Sequence, residues 1–465
     1  MLCAVCLASI VVVVVLGTRL TFFNDDWWFL LQRPGLESRG GLDVLLAPHN
    51  SNSVALTALA YKILVALFGL GTQLPYRVVL GIAIAAAGVA LCLLVRSRMG
   101  WAIGVAAAAV LVLLGAAWED LLFFASLDLI GSLATGLWAL WVLQRDTPRR
   151  NALACALLVC SVAFSNVGVP FAVAAAVAVA LRRRPSELWI SIIPLALFAL
   201  WWALYGTSEP SHLSAKNIEH LPRYLLDSLA AGLTSITGLN AGSASRTYAR
   251  GHVLIAVGLA ILVVCLLRGW RPRPAVLVPA SALLCFWILT GASFIPGREP
   301  FASRYQLIDA ALLILIAAEL YRPTHVGVPL TAAIVTIAIV VVWSNIDHGL
   351  SYGYRFLRQQ SGFAKADLAA LRIGRSQAPT TLSLVPLVAR NQYLSGVTAG
   401  RFFSQTAAHG PVSTYSVAQL RAASAPQRQA ADSVLSWAEQ IRPVVTADHP
   451  SSLPIVPTYA SGSPA

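Results

Sequence analysis

Long apolar runs recur along this 465-residue chain, and they restrict it to a fold for which the lipid bilayer is the solvent. Hydrophobic residues make up 57% of the sequence and charged residues only 11%, against roughly a quarter charged in soluble domains. So much apolar surface excludes a disordered chain and a small disulfide-linked scaffold. We therefore predict an all-α polytopic membrane protein.

The apolar runs alternate with arginine clusters, which predicts their direction. Eleven runs are candidate transmembrane helices, at residues 2–20, 76–95, 101–117, 121–143, 152–164, 169–181, 188–205, 252–267, 275–292, 305–320 and 326–343. Arginines follow every second run. Because short arginine-rich loops stay in the cytoplasm, we predict a multi-pass protein of the cytoplasmic (inner) membrane with a cytoplasmic N-terminus and an extracytoplasmic C-terminus. The net charge of +13 lies largely in these loops, so nucleic-acid binding is not predicted.

A further apolar run at 54–70 does not fit this alternation, because another crossing there would reverse the side of every later arginine cluster. Pro48 precedes the run, and Gly69 and Pro75 flank its end. We predict an interfacial or re-entrant helix at this position. The alternative is a true span that follows a cleaved signal peptide, but no charged segment precedes the first apolar run.

The chain divides into two predicted regions. Residues 1–345 form a transmembrane domain with long outer loops at 21–75 and 206–251. Residues 346–465 form a small extracytoplasmic C-terminal region. Its last part, from Pro443 onward, is rich in Pro, Ser and Ala and is predicted to be disordered.

The turn between two short runs is also informative. The runs at 152–164 and 169–181 are separated by Ser165, Asn166, Val167 and Gly168. Irregular backbone at membrane depth is tolerated where it is buried in protein or lines a cavity. The turn is therefore predicted to lie beside a cavity.

Adjacent carboxylates directly after the first span are the strongest local signal of a functional site. Asp25 and Asp26 stand there with Trp27 and Trp28. Paired acids at a membrane boundary cost desolvation energy unless they are used or paired. A solvated loop start with an interfacial tryptophan belt has the same composition.

Further polar residues of the predicted outer side favour the functional interpretation. Arg33, His49 and Asn50 lie in the same loop as the acidic pair, and Glu119 and Asp120 follow the third span on the same side. His49 alone is more often an ordinary loop histidine, and Asn50 is also a candidate helix cap. Their convergence indicates a site.

These features together resemble the integral-membrane glycosyltransferases of the GT-C superfamily, and more narrowly its bacterial polyprenyl-phosphate-sugar-dependent members. The resemblance rests on the acidic pair after the first span, a short surface helix, and three motifs: Pro48, His49 and Asn50; Leu74, Pro75, Tyr76 and Arg77; and Ala302, Ser303, Arg304 and Tyr305. It covers residues 1–345 in topology. Asn52 departs from the pattern, because related loops often carry an acid and a second histidine near the first.

The resemblance implies a glycosyltransferase that moves a hexosyl or pentosyl sugar from a polyprenyl-phosphate donor to an envelope glycan, lipid or protein acceptor. Asp25 or Asp26 is the candidate catalytic base for the acceptor hydroxyl. Arginines suited to phosphate oxygens are the candidate donor ligands, namely Arg304, Arg298, Arg77 and Arg33. Candidate acceptor or sugar ligands are Glu119, Asp120, His49, Asn50 and Tyr305.

No cofactor is assigned. Glu119 and Asp120 are candidate ligands of a divalent cation, but no third oxygen ligand lies nearby in the sequence, so no metal site is predicted. The seven cysteines all lie in apolar runs without neighbouring histidines, which predicts neither a zinc site nor a disulfide framework.

Two other functions stay open at this point. A transporter or lipid-linked-sugar flippase predicts inverted repeats and ionisable residues near the membrane midplane. The sequence has no visible repeat, and most of its intramembrane acids lie near the predicted outer ends of spans. A non-catalytic envelope assembly protein, whose outer loops only bind partners, predicts the same motifs as a degenerate member of the superfamily.

Overall fold

The computed structural model describes residues 1–33, 41–145, 147–209, 212–240, 244–321, 327–384, 392–394 and 396–439 as a bundle of α-helices. These ranges contain two isolated β-bridges and no β-strand. The predicted disorder from Pro443 onward lies outside the described residues.

The described ranges contain twenty α-helices, joined by turns and short 3₁₀ or π segments. They are α1 Leu2–Gly17, α2 Asp25–Trp27, α3 Asp43–Leu46, α4 Ala55–Phe68, α5 Leu74–Met99, α6 Trp101–Val112, α7 Trp118–Leu122, α8 Leu127–Leu143, α9 Pro148–Phe164, α10 Gly168–Leu181, α11 Trp189–Leu204, α12 Ala215–Thr237, α13 Ala244–Leu267, α14 Leu277–Ala292, α15 Ser303–Tyr321, α16 Val328–Ser344, α17 Ser351–Ile373, α18 Ala399–His409, α19 Val417–Arg421 and α20 Ala425–Ala438.

Helices occupy all eleven predicted runs, and the helical membrane fold is confirmed. In the described part of the chain, seven segments are long and apolar enough to cross a membrane by length and composition; they contain α5, α6, α8, α11, α13, α14 and α16. Of the remaining four helices, α1, α9 and α10 have 14 to 17 residues. α15 carries Arg304, Asp309 and Glu319 in its 19 residues. The count of eleven crossings is therefore not confirmed.

α5 forms the centre of the bundle and has clear start and stop signals. Pro75 lies in its first turn, and Gly100, with φ +89°, follows its last residue. α1, α6 and α8 pack around it. Arg98, in its last turn, forms an ion pair with Glu319 of α15, which joins the two helices at the end of the bundle remote from Asp25.

α4 covers the apolar run that did not fit the arginine alternation. Its 14 residues rise about 21 Å, against a hydrocarbon core of about 30 Å. Thr57, Tyr61 and Val65 are buried against the bundle, whereas Leu67 and Phe68 are exposed. This two-sided character suits a helix at an interface, and the non-crossing assignment stays a prediction.

The C-terminal region packs on the first long loop. α17 contacts both α20 and α7. Three backbone N–H groups of the loop donate across this contact, from Thr21 to Ser361 Oγ (3.0 Å), from Asn24 to the Tyr393 carbonyl (3.1 Å) and from Leu70 to the His409 carbonyl (3.0 Å). The region that follows α16 therefore helps to hold the segment that carries Asp25.

A close backbone contact positions α7, which carries Glu119. Gly115, just before α7, lies against the π-helical turn Asn345–Leu350, and a Cβ on Gly115 would overlap the Asn345 carbonyl oxygen. The Asn345 side chain accepts from the Ala116 N–H at 3.0 Å and donates to the Ser235 carbonyl at 3.2 Å. One asparagine thus joins the start of α7 to α12 and α16.

The Gly115 contact predicts a large cost for a single methyl group. Gly115→Ala should lower the free energy of unfolding by roughly 3 kcal/mol or more, because backbone atoms on both sides have to move. Gly258→Ala in α13 is the matched control, since its added Cβ meets nothing within 4 Å. It should be neutral or stabilising by up to about 1 kcal/mol. Thermal unfolding of both variants in detergent measures the difference, and equal midpoints would contradict the close contact.

Candidate functional site

A cavity of about 670 Å³ lies at the end of the bundle where the first loop packs on α7 and α17. Its lining combines loop residues with residues of α7, α8, α10, α11, α14, α15 and α17. Seven predicted site residues line it, namely Asp25, His49, Asn50, Glu119, Arg298, Arg304 and Tyr305. Segments far apart in the sequence therefore bring these side chains together.

Asp25 is the first residue of α2 and faces the cavity. Asn24 precedes it with φ +41° and ψ −109°, a positive-φ conformation that is uncommon for a residue other than glycine and that turns the chain into the short helix. The Asp25 side chain keeps 22% of its surface exposed, and its Oδ1 lies 3.5 Å from His49 Nε2. A proton on Nε2 therefore faces the carboxylate.

His49 is held in place by aromatic rings. Its imidazole centroid lies 4.2 Å from the Trp28 ring and 5.1 Å from the Phe29 ring. Asn50 Nδ2 lies 3.2 Å from His49 Nε2. His49 Nε2 donates a hydrogen bond to Asp25 only when it carries a proton, and it accepts one from Asn50 only when it does not. Asn50 and Asp25 are therefore alternative partners of Nε2.

Asp25 is ionised at neutral pH. Burial by itself raises the pKa of Asp25, but the hydrogen bond from His49 and the charges of His49, Arg304 and Arg298 outweigh burial and hold that pKa below its ordinary value. The carboxylate form of Asp25 is therefore the form present, and it is the form that accepts a proton.

Two arginines supply positive charge to the cavity. Arg304 is the second residue of α15, and its Nε lies 3.5 Å from Glu119 Oε2. Arg298, in the loop before α15, donates from Nη2 to the Asn50 carbonyl at 3.3 Å. These contacts orient both guanidinium groups beside Asp25.

The rest of the lining is largely apolar. α11 contributes Phe198 and Trp202, and α14 contributes Phe286 and Leu289. Both helices pack on α10, whose Pro170 also lines the cavity. Tyr305 stands with its ring 5.7 Å from that of Phe286. The cavity therefore has a charged part at the loops and an apolar part between α11 and α14.

The turn between α9 and α10 lines the cavity, as its irregular backbone predicted. Asn166 Oδ1 accepts from the Ser53 N–H at 3.0 Å, and its Nδ2 donates to the Ser51 carbonyl at 2.9 Å. Asn50 and Ser51 have φ of +52° and +63°. Asn166 therefore fixes the strained loop that presents His49, a role that the sequence offered no means of assigning.

Asp26 lies behind the cavity wall. It is fully buried, the Tyr61 hydroxyl donates to its Oδ1, and the Phe23 N–H donates to its Oδ2 at 2.9 Å. Burial raises the pKa of Asp26 to about 6, although Arg77 and Tyr61 oppose this shift. Adjacent carboxylates thus have opposite pKa shifts.

Three other predicted ligands also lie outside the cavity lining. Arg33 donates to the carbonyls of Val44, Leu45 and Ala47. Arg77 donates to the Leu122 carbonyl and to Gln73 Oε1. Asp120 is fully buried. Asp309, one turn after Arg304, accepts from Trp287 Nε1 at 2.7 Å and so belongs to the contact between α14 and α15.

Other cavity residues carried weaker sequence signals. Asp128, the second residue of α8, also lines the cavity. Tyr352 and Phe356 of α17 and Trp202 of α11 carried no signal beyond helical or interfacial spacing. Among the described residues, no group of three or more His, Cys, Asp or Glu side chains is arranged to hold a metal ion.

The raised pKa of Asp26 predicts a specific pH dependence of stability. The ordinary carboxyl pKa is 3.8 and that of Asp26 in the fold is about 6, so between these values the folded state binds more protons than the unfolded state. The contribution of Asp26 to stability therefore falls as the pH rises from about 4 to 6. Relative to wild type, Asp26→Asn should gain thermal stability across this window, measured by unfolding midpoints in detergent.

Asp25→Asn is the control for that measurement. The pKa of Asp25 lies below 3.8, so its stabilisation is present above that pH and is lost only on further acidification. The unfolding midpoint of the Asp25→Asn variant should therefore change with pH in parallel with that of wild type from pH 4 to 6. If the unfolding midpoint of Asp26→Asn also changed in parallel with that of wild type, this result would contradict the raised pKa of Asp26.

No protein-family model, no curated protein and no solved structure matches this chain.

Proposed function

We propose that the protein is a membrane glycosyltransferase that moves a hexosyl or pentosyl group from a polyprenyl-phosphate donor to a hydroxyl of an envelope glycan, lipid or protein. The single observation that carries this proposal is the cavity itself. An ionised carboxylate, Asp25, faces two arginines, Arg298 and Arg304, beside the apolar part of the cavity. These are the groups that such a transfer requires.

Asp25 is the proposed general base. The acceptor hydroxyl loses its proton to a carboxylate oxygen of Asp25 while its oxygen bonds to the anomeric carbon and the bond from that carbon to the phosphate oxygen breaks. His49, 3.5 Å from Asp25, is the proposed positioning residue, because its ring is fixed by Trp28 and Phe29.

Arg298 and Arg304 are the proposed ligands of the donor phosphate, which leaves as a lipid phosphate. A guanidinium presents a fork of N–H donors that matches phosphate oxygens. The Nε edge of the Arg304 guanidinium faces Glu119, so its other N–H donors are the ones proposed to bind phosphate. The proposal rests on these two arginines because the Arg33 and Arg77 side chains donate to backbone carbonyls.

The apolar part of the cavity is the proposed path of the prenyl chain. Phe198 and Trp202 of α11 and Phe286 and Leu289 of α14 form its two sides, and much of the remaining surface of both helices is exposed where lipid would lie. A prenyl chain between these helices places its phosphate at the arginines and its sugar beside Asp25.

The orientation in the membrane is part of the proposal. We infer eleven crossings in the cytoplasmic membrane, with the N-terminus in the cytoplasm and the cavity on the outer face. Arg96 and Arg98, which end α5, support this orientation, since they lie at the end of the bundle remote from the cavity.

The position of the charges favours a transferase over a transporter. Asp25, Glu119, Asp128 and Arg304 are each the first or second residue of their helices. The cavity charges therefore gather at one end of the bundle, whereas transporters bind substrate near the midplane.

The test of the base is Asp25→Asn in purified protein reconstituted in nanodiscs. Asn keeps the size of the side chain but removes the proton acceptor, so transfer should fall by about 100-fold or more. Transfer is measured as the release of polyprenyl phosphate, with a panel of polyprenyl-phosphate pentoses and hexoses as donors and envelope glycans, lipids and proteins as acceptors. Binding of polyprenyl phosphate should change little.

Asp43→Asn is the matched control. Asp43 lies in the same loop and accepts from the Tyr205 hydroxyl at 2.7 Å, a bond that Asn retains. It lies outside the cavity lining, so its variant should keep wild-type transfer. Wild-type transfer by Asp25→Asn would remove Asp25 from the mechanism, and no transfer from any donor of the panel by wild type would count against the proposal itself.

Arg304→Ala should have a different signature. Loss of a charge-assisted contact to phosphate should weaken polyprenyl-phosphate binding roughly 10- to 100-fold and slow transfer as well. Arg304→Lys keeps the charge but not the fork, so its effect should be intermediate. Arg246→Ala, an exposed arginine near the start of α13, is the control. Unchanged phosphate binding by Arg304→Ala would show that the phosphate lies elsewhere.

A further inference from the structure

A second pocket, of about 630 Å³, uses a different face of α17 from the cavity. Tyr352 and Phe356 of α17 line the cavity, whereas Arg355, Arg358 and Lys365 line the second pocket. Their spacing of three and seven residues places these three cations on one stripe of the helix. Arg19, just beyond α1, completes what we call the basic pocket.

The basic pocket concentrates positive charge without a compensating acid. Its lining within the described residues contains four cations and no carboxylate. No ion pair to these four side chains occurs in the described part of the chain. Like charges held together raise the free energy of the fold unless an anion binds them. Lys365 is half-buried, so water screens its charge less than that of an exposed lysine.

Hydrogen bonds between distant segments hold the pocket walls in place. The Thr21 N–H donates to Ser361 Oγ at 3.0 Å, which fixes the chain after α1 to α17. The Tyr415 N–H donates to the Lys365 carbonyl at 3.3 Å. Ser361 and Tyr415 both line the pocket. The cations are therefore presented by a built concave surface and not by a mobile tail.

We propose that the basic pocket binds a phosphate-bearing anion. Three of its four cations are arginines, whose planar forks suit phosphate oxygens. Arg19 follows Gly17, the last residue of the apolar helix α1, by two positions. The pocket therefore lies near the level of lipid headgroups, where an anionic lipid or a soluble phosphorylated compound can reach it. This inference is independent of the proposed transfer reaction.

The experiment uses the full purified chain with two probes. Inorganic pyrophosphate is titrated in a detergent with an uncharged headgroup, with calorimetry as the readout. In parallel, the unfolding midpoint is compared between nanodiscs of phosphatidylcholine alone and nanodiscs that also contain phosphatidylglycerol. Wild type should respond to at least one probe. A response to pyrophosphate assigns a soluble ligand, and a response to phosphatidylglycerol alone assigns a lipid headgroup.

The double variant Arg358→Gln with Lys365→Gln should weaken pyrophosphate binding about tenfold or more, or abolish the phosphatidylglycerol-dependent shift. Arg401→Gln with Arg421→Gln is the control, because it removes two exposed positive charges of the same C-terminal region outside the pocket. It should respond as wild type does. In the Arg304→Ala variant, which lacks a proposed phosphate ligand of the cavity, the response that depends on Arg358 and Lys365 should persist, and this separates the basic pocket from the cavity.

Two results would overturn the proposal. One is a wild-type protein that responds to neither probe. The other is a pocket pair that weakens the response no more than the control pair does, since the response would then not depend on the pocket. If Arg358→Gln with Lys365→Gln fails to fold, Arg19→Gln with Arg355→Gln, both at exposed positions, gives the same test.

Discussion

Interruptions of the helices meet at the cavity end of the bundle, and each leaves backbone N–H and C=O groups that lipid cannot satisfy. Polar side chains from other helices take over these bonds. The Asn166 side chain forms hydrogen bonds with the backbone of Ser51 and Ser53, and the Asn345 side chain accepts one from the Ala116 N–H just before α7. An irregular backbone inside the bundle needs buried polar side chains as hydrogen-bond partners. Because these side chains occupy the interior, the helices at this end cannot pack into a purely apolar core.

The need to satisfy backbone carbonyl groups also accounts for two buried arginines. Arg77 reaches from α5 to the Leu122 carbonyl at the end of α7, and Arg33 caps three carbonyls around α3. Both side chains are buried. They stabilise the frame around the cavity. Arg298 and Arg304 each make one polar side-chain contact with the described part of the protein, so other N–H donors of both guanidinium groups are available at the cavity wall.

The elements that the sequence predicted correctly depend on local patterns. Long apolar runs define helices wherever they occur, so every predicted run contains a helix. The arginine alternation placed Asp25, His49 and Arg304 on one predicted side of the membrane, and these three residues line one cavity. The roles of Arg77 and Arg33 depend on which carbonyl lies within reach after folding. Arg77 and Leu122 are 45 residues apart, and no local pattern encodes that distance. The stripe of cations on α17 likewise becomes a pocket only when Arg19 and Tyr415 pack beside it.

Asp25 and Asp26 show how two adjacent carboxylates come to lie in different environments. Two ionised carboxylates side by side in a partly buried site repel, so the lowest free energy assigns them different environments. Asp26 points inward to Tyr61 and the Phe23 N–H, where burial raises its pKa to about 6. That bond to Phe23 spans the segment just before α2 and so fixes the direction of its first residue. Asp25 then points to the opposite side, toward His49 and the arginines, which keep it ionised. The buried acid therefore sets the position of the one that faces the cavity, and the adjacency of the pair is part of how the cavity is built.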